Sequence, residues 1–222
     1  MVRRREFIAG LGVGPDPVAA GLVASLNRPG ANLTGVSVIN VEVIAKRLEL
    51  LHELAPMATS VALLVNPTNA AATEAETKEM QGAVQVLGLN LVVLNATTAA
   101  KIEAFAIAFP EKASALVVGG DSFFYAHHDQ VIASAARHRI PTIYQSRLFV
   151  AAGGLIGYGS DAAEPYRVVG AYAGRILNGE KPGDMPVQLA TRIELAINLK
   201  TAKALGLTVP LSLLVRADEV IE

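Results

Sequence analysis

Four short polar stretches hold most of the chemistry in this sequence: Asn66-Pro67-Thr68-Asn69, Gly119-Gly120-Asp121-Ser122, Tyr144-Gln145-Ser146-Arg147 and Tyr158-Gly159-Ser160-Asp161. Each follows a short apolar run. In open parallel sheets, ligands bind at the carboxyl ends of strands, where loops and helix N-termini offer polar groups. Asp121 and Asp161 suit a cationic amine, and Asn66 and Asn69 suit an amide or carboxylate. Tyr144 and Tyr158 could pack on an apolar or aromatic body. The same residue types also make turns and helix caps, so each alone says little. Their convergence on one rim favours small-molecule binding.

Other chemistries lack their parts. His127-His128-Asp129 is the one local cluster of metal-ligand types, but adjacent helical residues point in different directions and His52 and His138 fall elsewhere. No metal site and no cofactor are expected. The sequence has no Gly-x-Ser-x-Gly elbow, no His-Glu-x-x-His and no P-loop. Asp121 or Asp161 acting as a general base would stand without a nucleophile or cofactor fingerprint. The reading is a binding protein and not an enzyme.

The elements that position these stretches follow from periodicity. Val61–Val65 is a continuous apolar run closed by Asn66-Pro67, as for a strand buried on both faces. A helix then runs to Gly88, followed by strand 89–94, helix 99–108, strand 115–118, helix 129–138 and strands 140–144 and 154–158. Alternation of strands and helices predicts an α/β fold, a three-layer Rossmann-like parallel sheet. Ile44, Leu48, Leu51 and Ala55 make one amphipathic helix, and Val169 to Leu177 another, capped by Asn178-Gly179. Lys181–Pro186 is too rich in breakers for regular structure and reads as a crossing segment. A strand over 193–198, a helix over 200–205 with Gly206 as cap, and a last helix over 210–220 complete the chain.

With 222 residues, 52% hydrophobic and 18% charged, the chain can build a sizeable core. The net charge of -1 gives no field for phosphate backbones or anionic lipid, so nucleic acid is not an expected partner. There are no cysteines, which removes disulfides and thiolate chemistry. The start, Arg3-Arg4-Arg5 before Glu6-Phe7-Ile8, is how an export signal begins, but Gly14-Pro15-Asp16-Pro17 breaks the apolar run early.

Several segments together resemble a known family: 16–30 (Asp-Pro-Val-Ala-Ala-Gly onward), 32–35, 63–69, 135–141, 151–159, 193–207 and 216–222. They are similar to the substrate-binding proteins of bacterial ABC importers related to the tryptophan/tyrosine-binding type, which have the type I periplasmic-binding-protein fold. The resemblance implies a periplasmic protein that takes a small solute, an amino acid or an aromatic or organic acid, into a cleft between two α/β lobes. It also implies an inner-membrane ABC permease as partner. Asp16, at the head of the first segment, joins Asn66, Asn69, Asp121, Tyr144, Tyr158 and Asp161 as candidate ligand-binding residues.

The departures from the family are specific. The resemblance implies that a first lobe, roughly 100 residues at ordinary domain size, is missing between the signal-like start and the Asp-Pro-Val segment. Residues 1–14 then read as a signal-like remnant, 15–45 as a partial first lobe and crossover, 46–160 as the second lobe, and 161–222 as crossover helix, hinge and C-terminal elements. Weak binding is expected unless the chain dimerises, and exposed apolar remnants of the first lobe would favour self-association. His127-His128 stands where relatives tend to have two arginines, and Ser146-Arg147-Leu148 where they tend to have an aromatic residue, arginine and glutamate. A cytoplasmic sensory or effector-binding α/β domain is the alternative.

Overall fold

The structure, a computed structural model, describes residues 8–13, 17–18, 21–38, 43–108, 113–160 and 163–222. The chain forms two units, each from two stretches. The larger comprises Asn40–Gly159 with Ile193–Glu222, and the smaller Met1–Ile39 with Ser160–Arg192.

In chain order the elements are β1 (Ile8–Val13), β2 (Leu33–Val38), α1 (Ile44–Leu54), β3 (Ser60–Val65), α2 (Ala70–Leu87), β4 (Asn90–Asn95), α3 (Ala99–Ala108) and β5 (Ala115–Val118). Then come α4 (Ser122–Ala126), α5 (His128–Arg137), β6 (Thr142–Tyr144), α6 (Arg147–Ala151), β7 (Ile156–Ser160) and α7 (Ala163–Leu177). A 3-10 turn at Pro182–Asp184 leads to β8 (Gln188–Ala190), β9 (Ile193–Asn198), α8 (Leu199–Leu205), α9 (Leu211–Arg216) and β10 (Glu219–Ile221).

Seven strands of the larger unit pair in the order β10-β9-β7-β6-β5-β3-β4. Strands β4, β3, β5, β6 and β7 pair in parallel, with Val61 opposite both Leu91 and Ala115 and Ile143 opposite Ile156, and β10 pairs in parallel with β9. Where β9 meets β7, Asn198 N at the end of β9 donates to Leu155 O just before β7 at 2.9 Å. Buried apolar runs such as Val61–Val65 fill both faces of this sheet. Val61, Leu63 and Val65 pack with Leu48 and Leu51 of α1 and with Met80 and Val84 of α2. Ala62 and Leu64 face the opposite way, toward Ile102 of α3, Phe124 of α4, Val131 of α5 and Phe149 of α6. The period-two alternation of a strand thus divides one uniformly apolar segment between two helical layers.

Helix ends follow the sequence. Gly88 and Gly206 both adopt the left-handed conformation just after α2 and α8, where glycine has no Cβ penalty. The last segment corrects the expectation of one helix over 210–220. It stops at Arg216, and Glu219–Ile221 pairs in parallel with Ala196–Asn198 as an edge strand. The short helices α4 and α6 were not read from periodicity, since five residues complete barely more than one turn.

The smaller unit is a three-stranded parallel sheet in the order β1-β2-β8. Residues 8–13, within the signal-like start, pair in register from Ile8 opposite Leu33 to Val13 opposite Val38. Tyr172 and Ile176 of α7 bury with Met185. Thr34, 1% exposed, donates its hydroxyl to Met185 O at 2.8 Å, and Tyr172 donates to Pro186 O at 2.9 Å. The breaker-rich stretch therefore serves as a hydrogen-bonded spacer leading into β8.

Candidate functional site

The order of the larger sheet reverses at β3: the chain goes outward to β4 and then returns to β5 on the other side of β3. Such a reversal splays the connections leaving the two neighbouring strands and opens a crevice at their carboxyl ends. Asn66–Asn69 leaves β3 there and Gly119–Asp121 leaves β5. Asn66 and Asn69 each donate a side-chain amide to Asp121, to Oδ1 and Oδ2 respectively, both at 3.0 Å. Oδ1 also accepts from the backbone N–H of Phe123 at 2.8 Å, so Asp121 caps α4.

An ionised carboxylate has about four acceptor positions. With two donors on Oδ1 and one on Oδ2, the second oxygen keeps an open lone pair. All three donors are neutral, so the charge of Asp121 is solvated by dipoles with no cation beside it among the described residues. Asn66 is fixed in turn. Its Oδ1 accepts from the Thr68 hydroxyl at 2.7 Å, and its carbonyl accepts from the Thr73 hydroxyl at 2.8 Å. Gln145, at the end of β6, donates to the Asp121 carbonyl at 3.2 Å.

Behind this turn lie two buried charges that the strand-end survey of the sequence missed. Glu76 of α2, 3% exposed, accepts from Gly120 N at 2.7 Å. Arg47 of α1, fully buried, donates from Nε to Tyr158 O at 2.7 Å. Burial pushes the Glu76 carboxyl above the usual range, and the nearby Asp121 adds to this, while the Gly120 bond and Arg47 oppose it. Burial likewise lowers Arg47 to about 10, with Glu76 opposing. A signal existed: Glu76 interrupts the stripe Ala72, Met80, Val84, and Arg47 lies among Ile44, Leu48 and Leu51.

Of the residues expected on the rim, Asn66, Asn69 and Asp121 come together. Tyr144 does not stand on a rim, and that expectation is corrected: it is 1% exposed, and its ring stacks on Phe149 at 5.0 Å in the core, so desolvation pushes its phenol well above the usual range. Tyr158 lies within β7, which runs to Ser160 where the sequence suggested an end at 158, and its half-buried ring packs on the α1 side of the sheet. Asp16 and Asp161 lie outside the described residues.

His127 and His128 bond through Nδ1 to the carbonyls of Phe123 and Tyr125 at 2.9 and 3.0 Å. Because a carbonyl only accepts, Nδ1 is the donor in both of these bonds. Among the described residues no group of three or more metal-ligating side chains converges. Ser146 presents a hydroxyl oxygen that is buried and without a hydrogen-bond partner among the described residues.

Comparison with known proteins gives this geometry its context. Residues 11–221 match the family described as ABC transporter substrate binding protein. A tyrosine-binding protein of Clostridioides difficile (strain R20291) is 29% identical over 192 residues, which is 86% of this chain and 55% of the relative. The chain thus spans little more than half the length of that curated relative. Among solved structures, the ABC domain in complex with L-Trp from Streptococcus pneumonia superposes with a TM-score of 0.81 at 26% identity, over 95% of this chain and 73% of the other. A conserved domain protein from Vibrio cholerae gives 0.78 at 28% identity, over 92% and 68%. The mostly parallel sheet, its helical layers and these neighbours make the fold that of type I periplasmic binding proteins. With nearly its whole length matched, the chain belongs to the ABC transporter substrate-binding protein family, a family of binding proteins and not enzymes.

Proposed function

We propose that this chain captures a small solute bearing a cationic amine, of the aromatic amino acid class, at the carboxyl edge of its seven-stranded sheet, and presents it to an ABC permease. The observation that carries the reading is the Asp121 carboxylate, held by Asn66 and Asn69 where the strand order reverses, with neutral donors and one open lone pair. A carboxylate so placed gains a charge-assisted hydrogen bond from an ammonium group, about twice as strong as a neutral one.

The aromatic part of the proposal is supported by the relatives: one is named for tyrosine and another is solved with L-Trp. Proteins of this family usually act outside the cytoplasmic membrane, and the basic start of the sequence suits export. No helix among the described residues is long and apolar enough to cross a membrane, which suits a carrier that meets its permease at a surface.

Isothermal titration of the full chain tests this. L-tyrosine and L-tryptophan are compared with 3-(4-hydroxyphenyl)propionate and indole-3-propionate, which lack the amine. Heat from the amino acids alone is expected. Equal binding of the amine-free acids, or no binding of any, overturns the reading.

A further inference from the structure

The buried charges behind the site have a geometry that packing alone does not require. Glu76 reaches from α2 under the end of β5. There Oε1 accepts from Gly120 N at 2.7 Å, and a Cβ on Gly119 would fall 2.5 Å from Oε2 and 2.9 Å from Leu64 O. Arg47 reaches from α1 under the end of β7. There Nε donates to Tyr158 O at 2.7 Å, and a Cβ on Gly159 would fall 1.9 Å from Gln145 O and 3.1 Å from Arg47 Nη2. Each charge is therefore seated against a glycine that a larger residue could not replace. The strands they grip, β5 and β7, flank β6, whose Gln145 holds the Asp121 carbonyl.

The two charges also act on each other. Arg47 favours the ionised form of Glu76, and Glu76 favours the protonated form of Arg47. Charges taken out of water are poor stabilisers, because desolvation offsets the attraction they gain, and apolar residues of similar volume often do as well or better. Backbone groups gripped from below at two strand ends are better explained by placement.

We propose that Arg47 and Glu76 act together as positioning residues for the ligand-binding carboxylate of Asp121. They set the conformation of the Gly119-Gly120-Asp121 turn relative to the end of β7, and through it the orientation in which Asp121 meets an amine. This rests on the reading that Asp121 receives the ligand. Glu76 bonds the Gly120 N–H and Arg47 the Tyr158 carbonyl, both backbone groups, so their effect on the solute runs through the turn.

The test is a cycle of Arg47→Met, Glu76→Met and the double variant, with Glu76→Gln as the conservative control. Three readouts are taken: thermal midpoint, affinity for L-tyrosine, and hydrogen exchange of the Gly120 amide. Glu76→Met is expected to speed Gly120 exchange and weaken binding about tenfold, the scale of one lost charge-assisted bond. Glu76→Gln keeps an acceptor oxygen and should restore Gly120 protection. The double variant, with both buried charges removed, should regain thermal stability without regaining affinity. A purely structural role would make affinity follow stability, so a double variant with native affinity and native Gly120 protection overturns the proposal. If the unaltered protein binds none of the amino acids, the functional reading fails. Gly120 exchange still decides the placement claim: equal protection in the Met and Gln variants overturns it, and protection restored only by Gln upholds it.

Discussion

Asn69, the residue that begins α2, donates to Oδ2 of Asp121, the residue that caps α4, at 3.0 Å. One carboxylate thus fixes the starts of two helices that leave neighbouring strands. The structural role of Asp121 coincides with its proposed binding role, and substitutions can separate them.

Asp121→Asn removes the charge while keeping size and one oxygen acceptor for the Phe123 N–H. The expected stability loss is about 1 kcal/mol, the usual scale for a perturbed cap. Affinity for L-tyrosine should fall at least about tenfold, since a charge-assisted bond is lost. Asn69→Ala should show a similar stability loss with a smaller effect on affinity. Thermal melts beside titrations check both, and an Asp121→Asn variant with native affinity would remove Asp121 from the binding role.

Glu76 and Glu53 should give the pH profile two opposing components. Glu76 is raised above its ordinary value by burial, so the native state holds its proton more tightly than the unfolded chain. That component of stability is greatest on the acid side and declines as pH rises from the ordinary carboxylate value through the raised one. Glu53 is held low by its bond from the Ser212 hydroxyl and by Arg216. Its contribution is present above the ordinary value and lost as pH falls through the lowered one. In urea titrations across the acid to neutral range, Glu76→Gln should gain on wild type as pH rises. Glu53→Gln should cost less as pH falls.

Two glycines of the larger unit should respond to alanine with opposite signs. At Gly154 a Cβ would lie 2.7 Å from Tyr144 Cε2 and 2.8 Å from Phe149 O, so Gly154→Ala must displace a fully buried ring. Overpacking of this kind costs about 1–3 kcal/mol. Gly82, inside α2, has open space around its Cβ position, and Gly82→Ala should stabilise by about 0.5–1 kcal/mol. Chemical denaturation of both variants checks the contrast.

Thr34→Val keeps shape in the smaller unit but removes the hydroxyl that donates to Met185 O in a buried setting. A carbonyl left without its donor there should cost about 1–3 kcal/mol. Hydrogen exchange along β2 and β8 should accelerate. Unchanged exchange would show that the Pro182–Pro186 stretch is held without Thr34.

The sequence made the larger unit legible because its signals are local and agree. Val61–Val65 ends at Asn66-Pro67, and Gly88 and Gly206 stop their helices as expected. The smaller unit was harder to read. Its β1 contains two glycines and β8 has three residues, so neither shows a period, and both depend on partners distant in sequence. The clustering of Asn66, Asn69 and Asp121 was legible because strand ends concentrate polar residues. Tyr144 was misplaced because a three-residue strand does not declare which neighbour faces the core, and here Ile143 and Tyr144 are both buried on opposite faces. Arg47 and Glu76 were missed because a charged residue within an apolar stripe resembles ordinary surface variation until burial is known.

The position of β9 has a consequence for how the chain acquires this structure. β9 sits between β10 and β7, yet all of residues 160–192 intervene between it and most of β7. During synthesis β7 exposes an open backbone edge until β9 emerges, and an open edge is a template for pairing with other chains. Closing so long a loop before the pairing energy is gained also slows folding. The nascent protein should therefore pass through a sticky stage with five of the seven strands made, in which a chaperone covering β7 would raise the yield of the native sheet.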